Sequence, residues 1–67
     1  MSKLSVPERD QFILQLLQQQ GRVQVEQLSR LLDTSEVTIR KDLARLEQQQ
    51  KLVRRLGGAG LVAKAAS

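Results

Sequence analysis

Positively charged side chains are concentrated in the second half of this 67-residue chain. Residues 34–56 carry six basic residues against three acidic ones, a net charge of +3, whereas residues 1–33 carry four of each. Lysine and arginine neutralise phosphate groups, and arginine can also donate two hydrogen bonds to the edge of a guanine base. The second half is therefore a candidate surface for an anionic partner. Its basic residues are Arg40, Lys41, Arg45, Lys51, Arg54 and Arg55.

Side chains that commonly carry out catalysis or bind metals are missing from the sequence. It contains no histidine, the commonest general base and metal ligand, and no cysteine, which excludes disulfides and thiolate zinc sites. A chain of this length with one Phe and no Trp or Tyr has room for a small aliphatic core, but not for a deep substrate cleft as well. We expect a binding module rather than an enzyme, with no metal and no cofactor in this chain.

Apolar stretches in the sequence are too short to cross a membrane. No uninterrupted apolar run exceeds the three residues at positions 12–14, and the N-terminus lacks the apolar core of a signal peptide. The absence of cysteine is also compatible with a reducing compartment. We therefore expect a cytoplasmic protein that contacts no membrane.

Hydrophobic periodicity predicts three helices. The first covers residues 7–20 and is stopped by Gly21, which readily adopts the left-handed conformation. The second is short and covers residues 25–32. The third begins at Ser35, a good N-cap residue, and extends to about residue 49. Only the tight turn Asp-Thr-Ser separates the second helix from the third.

Short β-strands are predicted on either side of the second and third helices. The alternating, β-branched stretch "RVQV" at residues 22–25 is long enough only for an edge strand. Residues 52–56 and 59–63 are predicted to form a hairpin, because two apolar runs flank Gly57-Gly58, a favourable turn sequence. The chain is thus predicted to be mainly α-helical, with one small β-hairpin.

The third helix has a distinct face opposite its predicted core. Ile39, Leu43 and Leu46 recur at i, i+4 and i+7 and are predicted to be buried. The opposite face, placed at about 100° per residue, includes Val37, which gains little in water but could pack on a thymine methyl group. This face consists of Val37, Thr38, Lys41, Ala44, Arg45 and Gln48, with Arg40 at its edge.

The predicted order of elements is helix, strand, helix, tight turn, helix and hairpin. A short helix and a cationic helix joined by a tight turn are typical of a helix-turn-helix, whose second helix lies in the major groove of DNA. A basic hairpin after it indicates the winged form. The predicted segments are an N-terminal tail at residues 1–6, the domain at 7–62 with its recognition helix at 35–49 and wing at 52–62, and the start of a linker at 63–67.

Three segments of the sequence are similar to a known family. They are "ERDQFILQLLQQQGRVQVEQLSRLL", "TSEVTIRKDLARLEQQ" and "LVRRLGGA". The middle segment is the most specific, with a Ser, Thr-Ile-Arg, a basic residue and Asp-Leu, and Gly-Gly-Ala about 15 residues after the Asp. Residues 7–62 resemble the N-terminal winged helix-turn-helix domain of the DeoR family of bacterial transcriptional regulators.

The resemblance implies a repressor of a sugar or nucleoside catabolic operon that binds double-stranded DNA, with the recognition helix in the major groove and the wing on the backbone or minor groove. It also implies a C-terminal domain, absent from this chain, that senses a phosphorylated sugar and forms homo-oligomers, so the isolated domain could be monomeric. The DNA-binding positions it indicates are Ser35, Val37, Thr38, Arg40, Lys41 and Arg45 in the recognition region, and Arg54, Arg55, Gly57 and Gly58 in the wing.

Three residues depart from the family pattern. Leu56 stands where the family usually has His before Gly-Gly, which puts a polar contact of the wing in question. Gln24 stands where Ser or Thr usually caps the second helix. Gln50 stands where Gly or Asn usually ends the recognition helix, and since Gln resists the left-handed conformation, the helix end is expected to fray or extend.

Simpler interpretations account for the same residues. A charged helical face is commonly just solvated, Val37 could cover the preceding turn, and paired arginines in a hairpin can protect an exposed strand edge. The two wing glycines could serve only to form a turn. Asp42 and Glu47 are expected to form ion pairs on the helix surface rather than to take part in chemistry.

The main alternative function is a winged-helix module for protein interaction or dimerisation, in which the same cations meet an acidic protein. Competition by duplex DNA would separate the two functions. RNA binding is not expected, because readers of single strands stack bases on aromatic side chains. The only aromatic residue here, Phe12, belongs to the apolar region of the first helix.

Overall fold

The computed structural model describes residues 4–62, which form three α-helices and three short β-strands. The helices are α1 (Val6–Gln20), α2 (Val25–Leu31) and α3 (Glu36–Gln48). Strand β1 (Arg22–Gln24) lies between α1 and α2, and β2 (Val53–Arg55) and β3 (Gly58–Gly60) follow α3. The predicted winged helix-turn-helix is confirmed, and the helices match their predicted bounds to within one residue.

An aliphatic core holds the three helices together. The predicted stripe of Ile39, Leu43 and Leu46 is buried, with no member more than 1% exposed. Burying a side chain of this size contributes about 1.5–3 kcal/mol, so the core fixes how α3 lies on its neighbours. The buried apolar residues are Ile13, Leu17, Val23, Val25, Leu28, Leu32, Ile39, Leu43, Leu46, Leu52 and Ala59, with Phe12 partly buried at the edge. None of the helices within residues 4–62 combines the length and apolar character needed to cross a bilayer.

Left-handed residues end α1 and α2. Gly21, at a φ of 80°, stops α1 as predicted, and its N–H donates to the carbonyl of Leu17 at 2.7 Å. Asp33, at a φ of 52°, turns the chain after α2. The next residue, Thr34, donates its N–H to the carbonyl of Ser29 at 3.0 Å. These bonds satisfy carbonyls that the helix ends would otherwise leave unpaired.

The end of α3 corrects the expectation for Gln50. The helix neither frays nor extends, because Gln50 adopts the left-handed conformation at a φ of 62°. Its N–H donates to the carbonyl of Glu47 at 2.8 Å, and the N–H of Lys51 donates to that of Leu46 at 3.0 Å. This is the Schellman pair of bonds. Together with the burial of Leu52 immediately afterwards, the bonds offset the cost of about 1–2 kcal/mol that a left-handed residue carries.

The strands form one antiparallel sheet in the order β1-β3-β2, with β1 at the edge as predicted for "RVQV". The turn of the wing is not Gly57-Gly58. It is Leu56-Gly57, with Gly57 at a φ of 77°, because Gly58 already pairs with Arg55 in the ladder. Both wing strands are shorter than predicted, and the expected end of the second, at residue 63, lies outside the described residues, as does the predicted linker at 63–67.

A close approach of backbones explains why a glycine occupies the first position of β3. A Cβ on Gly58 would lie 2.0 Å from the carbonyl oxygen of Val23, well inside any real contact. Since β3 is the central strand, Gly58 must fit against β1 while it pairs with β2. The glycine is thus required for packing within the sheet, and the wing turn moves one residue towards the N-terminus.

Candidate nucleic-acid interface

The N-terminus of α3 is well defined and open to solvent. Ser35 is the N-cap, as predicted, and its hydroxyl oxygen accepts the N–H of Thr38 at 3.2 Å and also donates to Thr38 Oγ1 at 3.0 Å. In the preceding turn, the Ser29 hydroxyl donates to the carbonyl of Thr34 at 2.5 Å. The first turn of α3 therefore presents backbone N–H groups at the positive end of the helix dipole, an arrangement that favours phosphate.

The wing caps the first helix of the helix-turn-helix. Gln24 makes no side-chain cap of α2, in line with its departure from the family pattern. Instead, the N–H of Val25 donates to the carbonyl of Gly57 at 2.8 Å. The turn of the wing is therefore attached to the start of α2, which fixes the wing relative to the two helices.

The N-terminal half of α3 exposes the predicted recognition residues. Val37 is 58% exposed, so it does not cover the preceding turn, and Lys41 is exposed without an ion-pair partner among residues 4–62. Arg40 is also exposed and lies 3.5 Å from Glu36, a surface pair worth at most about 1 kcal/mol. Thr38 is half-buried and held by the Ser35 cap. The exposed side chains here are free to meet a ligand.

Arg45 differs from the other predicted recognition residues. Its Nη2 atom lies 2.6 Å from Asp10 Oδ1 and 3.1 Å from Asp42 Oδ1. Arg9 contacts the other oxygen of Asp42 through Nε at 2.7 Å. Burial opposes the charge of Arg45, but its hydrogen bonds with Asp10 and Asp42 raise its pKa, and the hydrogen bond with Asp42 raises the pKa of Arg9. Both arginines are fully charged and already paired with carboxylates.

Asp42 does form an ion pair within α3, with Arg45, but the prediction that this pair lies on the helix surface is wrong. Its side chain is only 3% exposed and bridges α3 to α1 through Arg9. A sequence signal for this existed, because Asp42 follows Ile39 by three positions and so lies beside the core stripe of α3. A charged residue at such a position needs a partner. Nothing in the spacing of the sequence indicated that Arg9 was that partner.

A groove between α3 and the wing brings three arginines together. Arg40 lines it from α3, Arg54 and Arg55 line it from β2, and the turn at Gly57 forms one end. Arg54 pairs with Glu47, Nε to Oε1 at 3.2 Å, and its N–H donates to Glu47 Oε2 at 3.1 Å. Glu47 therefore joins α3 to the wing rather than forming a pair along the helix surface.

The remaining residues of the wing differ in how exposed they are to solvent. Arg55 is exposed, has no ion-pair partner among the described residues, and passes over Gly60, where its Nε would lie 2.9 Å from a Cβ. Leu56 is fully exposed at the tip of the turn. Gly58 is buried in the sheet. The structure thus brings Arg40, Arg54, Arg55, Gly57 and Gly58 to one groove beside the exposed face of α3, and leaves Arg45 outside it.

Comparison with known proteins agrees with this geometry. The model of the DeoR-like helix-turn-helix domain matches residues 9–65. An Escherichia coli O157:H7 protein named as an aga operon transcriptional repressor is 58% identical over 52 residues, 78% of this chain and 19% of that protein. The transcriptional repressor GlcR of Bacillus subtilis is 44% identical over 52 residues, 78% of this chain and 20% of its own. CsqR, a transcriptional repressor of Escherichia coli K12, is 39% identical over 54 residues, 81% of this chain and 20% of its own.

The similarity to these regulators is limited to one part of their length. The chain spans about a fifth of each of these three relatives. No solved structure is significantly similar to it. The domain model nevertheless covers nearly all of the chain, and it coincides with the helices, the tight turn and the wing described above. This chain belongs to the DeoR-like helix-turn-helix family.

Proposed function

We propose that this domain binds duplex DNA, with the N-terminal half of α3 in the major groove and the wing against the backbone or the adjacent minor groove. The observation that carries the proposal is the groove beside the exposed face of α3, which Arg40, Arg54 and Arg55 line. Two arginines from the wing and one from the helix would straddle a phosphate backbone as the helix enters the groove.

Some groups of α3 would contact the phosphate backbone of DNA and position the helix, and others would contact the bases. The free N–H groups of the first turn, next to Ser35, would donate hydrogen bonds to a phosphate oxygen. Lys41 and Val37 lie on the exposed face of the helix, where an ammonium group can donate to guanine and an isopropyl group can pack on a thymine methyl. Arg40 lies between this face and the groove beside the wing, so it would contact the phosphate backbone of the DNA.

The whole protein is proposed to be a transcriptional repressor. Its relatives include proteins named as repressors, one of them of an operon. Because the chain spans only about a fifth of those relatives, oligomerisation and the response to an effector would belong to a further domain. We propose that this domain senses a phosphorylated sugar, that it pairs two DNA-binding domains on repeated half-sites, and that the target is a sugar or nucleoside catabolic operon.

The proposal is tested by selecting this chain on a random pool of DNA duplexes. The parent is expected to enrich one short motif, and the Arg40→Ala/Lys41→Ala double variant to lose that enrichment. Arg30→Ala is the matched control, because Arg30 is an exposed cation on α2 and pairs only with Glu26 at 3.7 Å. The control should select the same motif as the parent.

Two outcomes would contradict the proposal in different ways. If the double variant selected the same motif as the parent, the assignment of α3 as the recognition helix would be wrong. If the parent bound no duplex at all, the protein-interaction module would become the better function for the same cations.

A further inference from the structure

Four charged residues connect α1 to α3, and we call them the α1–α3 network: Arg9 and Asp10 from α1, and Asp42 and Arg45 from α3. Asp42 is the centre, since its Oδ2 accepts Arg9 Nε at 2.7 Å and its Oδ1 accepts Arg45 Nη2 at 3.1 Å. Asp10 Oδ1 completes the set with its contact of 2.6 Å to the same Nη2. Two cations and two anions alternate, so the network is neutral.

The network is also shielded from solvent. The side chain of Asp42 is 3% exposed, that of Asp10 is 18% exposed and that of Arg45 is 37% exposed. A second bond from Arg9, Nη2 to Asp42 Oδ1 at 3.3 Å, makes the Arg9 contact two-pronged. Within residues 4–62 no buried polar side-chain atom lacks a partner, so the network is fully satisfied. Leaving a buried charge without its partner costs free energy, so the ion pairs of this network are difficult to break.

Contact between Arg45 and DNA would work against this arrangement. A DNA contact through Nη2 would require that atom to leave two carboxylates, and Asp42 would then keep only Arg9 as a partner. An approaching phosphate would also meet the carboxylate of Asp10, which repels it. Lys41 lies one turn earlier on α3 and has no such partner among the described residues, so it reaches a phosphate or a base at no comparable cost.

We infer that Arg45 and Asp10 are positioning residues, not DNA contacts, and that the α1–α3 network adds to the buried stripe of α3 in setting the rotation of this helix about its own axis. Asp42 must face α1 to meet Arg9, and with α3 in that rotation Val37 and Lys41 point away from the core into solvent. This inference rests on the proposed function, since it concerns how the DNA-binding helix is aimed. It assigns Arg45 a role different from the one its family position implies.

Asp10→Asn gives the sharpest test, because the two roles of Arg45 predict opposite signs. If Arg45 contacted DNA, removing the Asp10 charge would release Arg45 and raise the ratio of affinity for the selected motif to affinity for a scrambled duplex. If Arg45 positions α3, the same change loosens the helix and lowers the ratio of affinity for the selected motif to affinity for a scrambled duplex. Roughly a 2- to 30-fold loss is expected for a change acting through such a network.

The dependence of binding on salt separates positioning from contact. Arg45→Gln should lower the same affinity ratio but leave the slope of log affinity against log salt unchanged. Lys41→Gln is the matched contact variant, and its slope should fall in magnitude by about 0.9. The double variant Asp10→Asn/Arg45→Gln should lose no more of the ratio than either single variant, since both act on one network. All variants are compared at a temperature at which circular dichroism shows them to be folded.

The outcomes distinguish this inference from the function on which it rests. If the parent protein selects no motif, both the proposed function and this inference are wrong. A parent with a clear motif, combined with a reduced salt slope in Arg45→Gln or a higher affinity ratio in Asp10→Asn, would overturn the inference and leave the function standing. A lower melting temperature without any change in affinity ratio would also overturn it, because the network would then only stabilise the fold.

Discussion

Gln50 shows how one residue can hold a backbone conformation that its side chain disfavours. It takes the left-handed conformation at a φ of 62° so that α3 can end and Leu52 can enter the core. Gly58 shows a different local constraint, since it has an ordinary φ but no room for a side chain. For each of these two positions, the structure predicts whether a substitution raises or lowers the stability of the protein.

Replacing Gln50 with glycine is expected to stabilise the protein. Glycine enters the left-handed region without the steric cost, and its extra freedom in the unfolded chain cancels only part of the gain, leaving about 0.5–1 kcal/mol. The measurement is the free energy of unfolding in urea. Gln49→Gly is the control, because Gln49 has a φ of −83° and gains nothing from glycine. A lower stability for Gln50→Gly than for the parent would contradict the account of this helix end.

Replacing Gly58 with alanine is expected to destabilise the protein by about 1–3 kcal/mol, the range for forcing a methyl group into a packed site. The new Cβ would lie 2.0 Å from the carbonyl of Val23, a backbone atom that moves only if β1 moves. Gly60→Ala is the matched control, because its Cβ would meet only the flexible end of Arg55 at 2.9 Å. Equal thermal stabilities for the two variants would argue against the close approach of β1 to β3.

At the scale of elements, the fold depends on how each helix end is satisfied. The wing turn caps α2, Ser35 caps α3, and at the start of α1 Glu8 Oε1 accepts the Ser5 N–H at 2.9 Å and the Ser5 hydroxyl at 3.1 Å. Ser5 and Val6 therefore belong to the helix and its cap rather than to the predicted tail. The carboxylate of Glu8 is the acceptor, so this cap depends on its charge.

The cap of α1 predicts a small dependence of stability on pH. The hydrogen bond from the Ser5 backbone lowers the pKa of Glu8 from its ordinary value of 4.5. A lowered folded-state pKa adds stability above the unfolded value, and that stability is lost as the pH falls through the folded one. Comparing melting temperatures of the parent and Glu8→Gln should therefore show a difference at neutral pH that shrinks below about pH 4.5. A difference that stayed constant with pH would count against this cap.

For the whole molecule, the number of cations that can face DNA limits how strongly binding depends on salt. Four basic residues are proposed to face DNA: Arg40, Lys41, Arg54 and Arg55. At about 0.9 per neutralised phosphate, the slope of log affinity against log salt should not exceed about 4 in magnitude for one chain. Binding to a duplex with a single half-site across a salt series measures it. A slope near 6 would mean that further cations, or a second chain, contact the DNA.

Features set by local sequence were predictable, and features set by distant contacts were not. Helix bounds and the stripe of Ile39, Leu43 and Leu46 follow from periodicity within one helix. The burial of Asp42 depends on Arg9, 33 positions earlier, and the place of the wing turn depends on the contact of Gly58 with Val23. No spacing within a single element encodes either contact, so the surroundings of Asp42 and the place of the turn needed correction.

The central place of β3 determines when the domain can be completed during synthesis. β1 has only β3 as a neighbour in the sheet, so a nascent chain that stops before Gly58 contains β1 with nothing to pair with. The same nascent chain leaves the start of α2 uncapped if it also lacks Gly57. Contacts between residues so far apart in the sequence form late, because a long loop must close first. The wing side of the surface proposed for DNA should therefore form only after the ribosome has released residues up to Gly60.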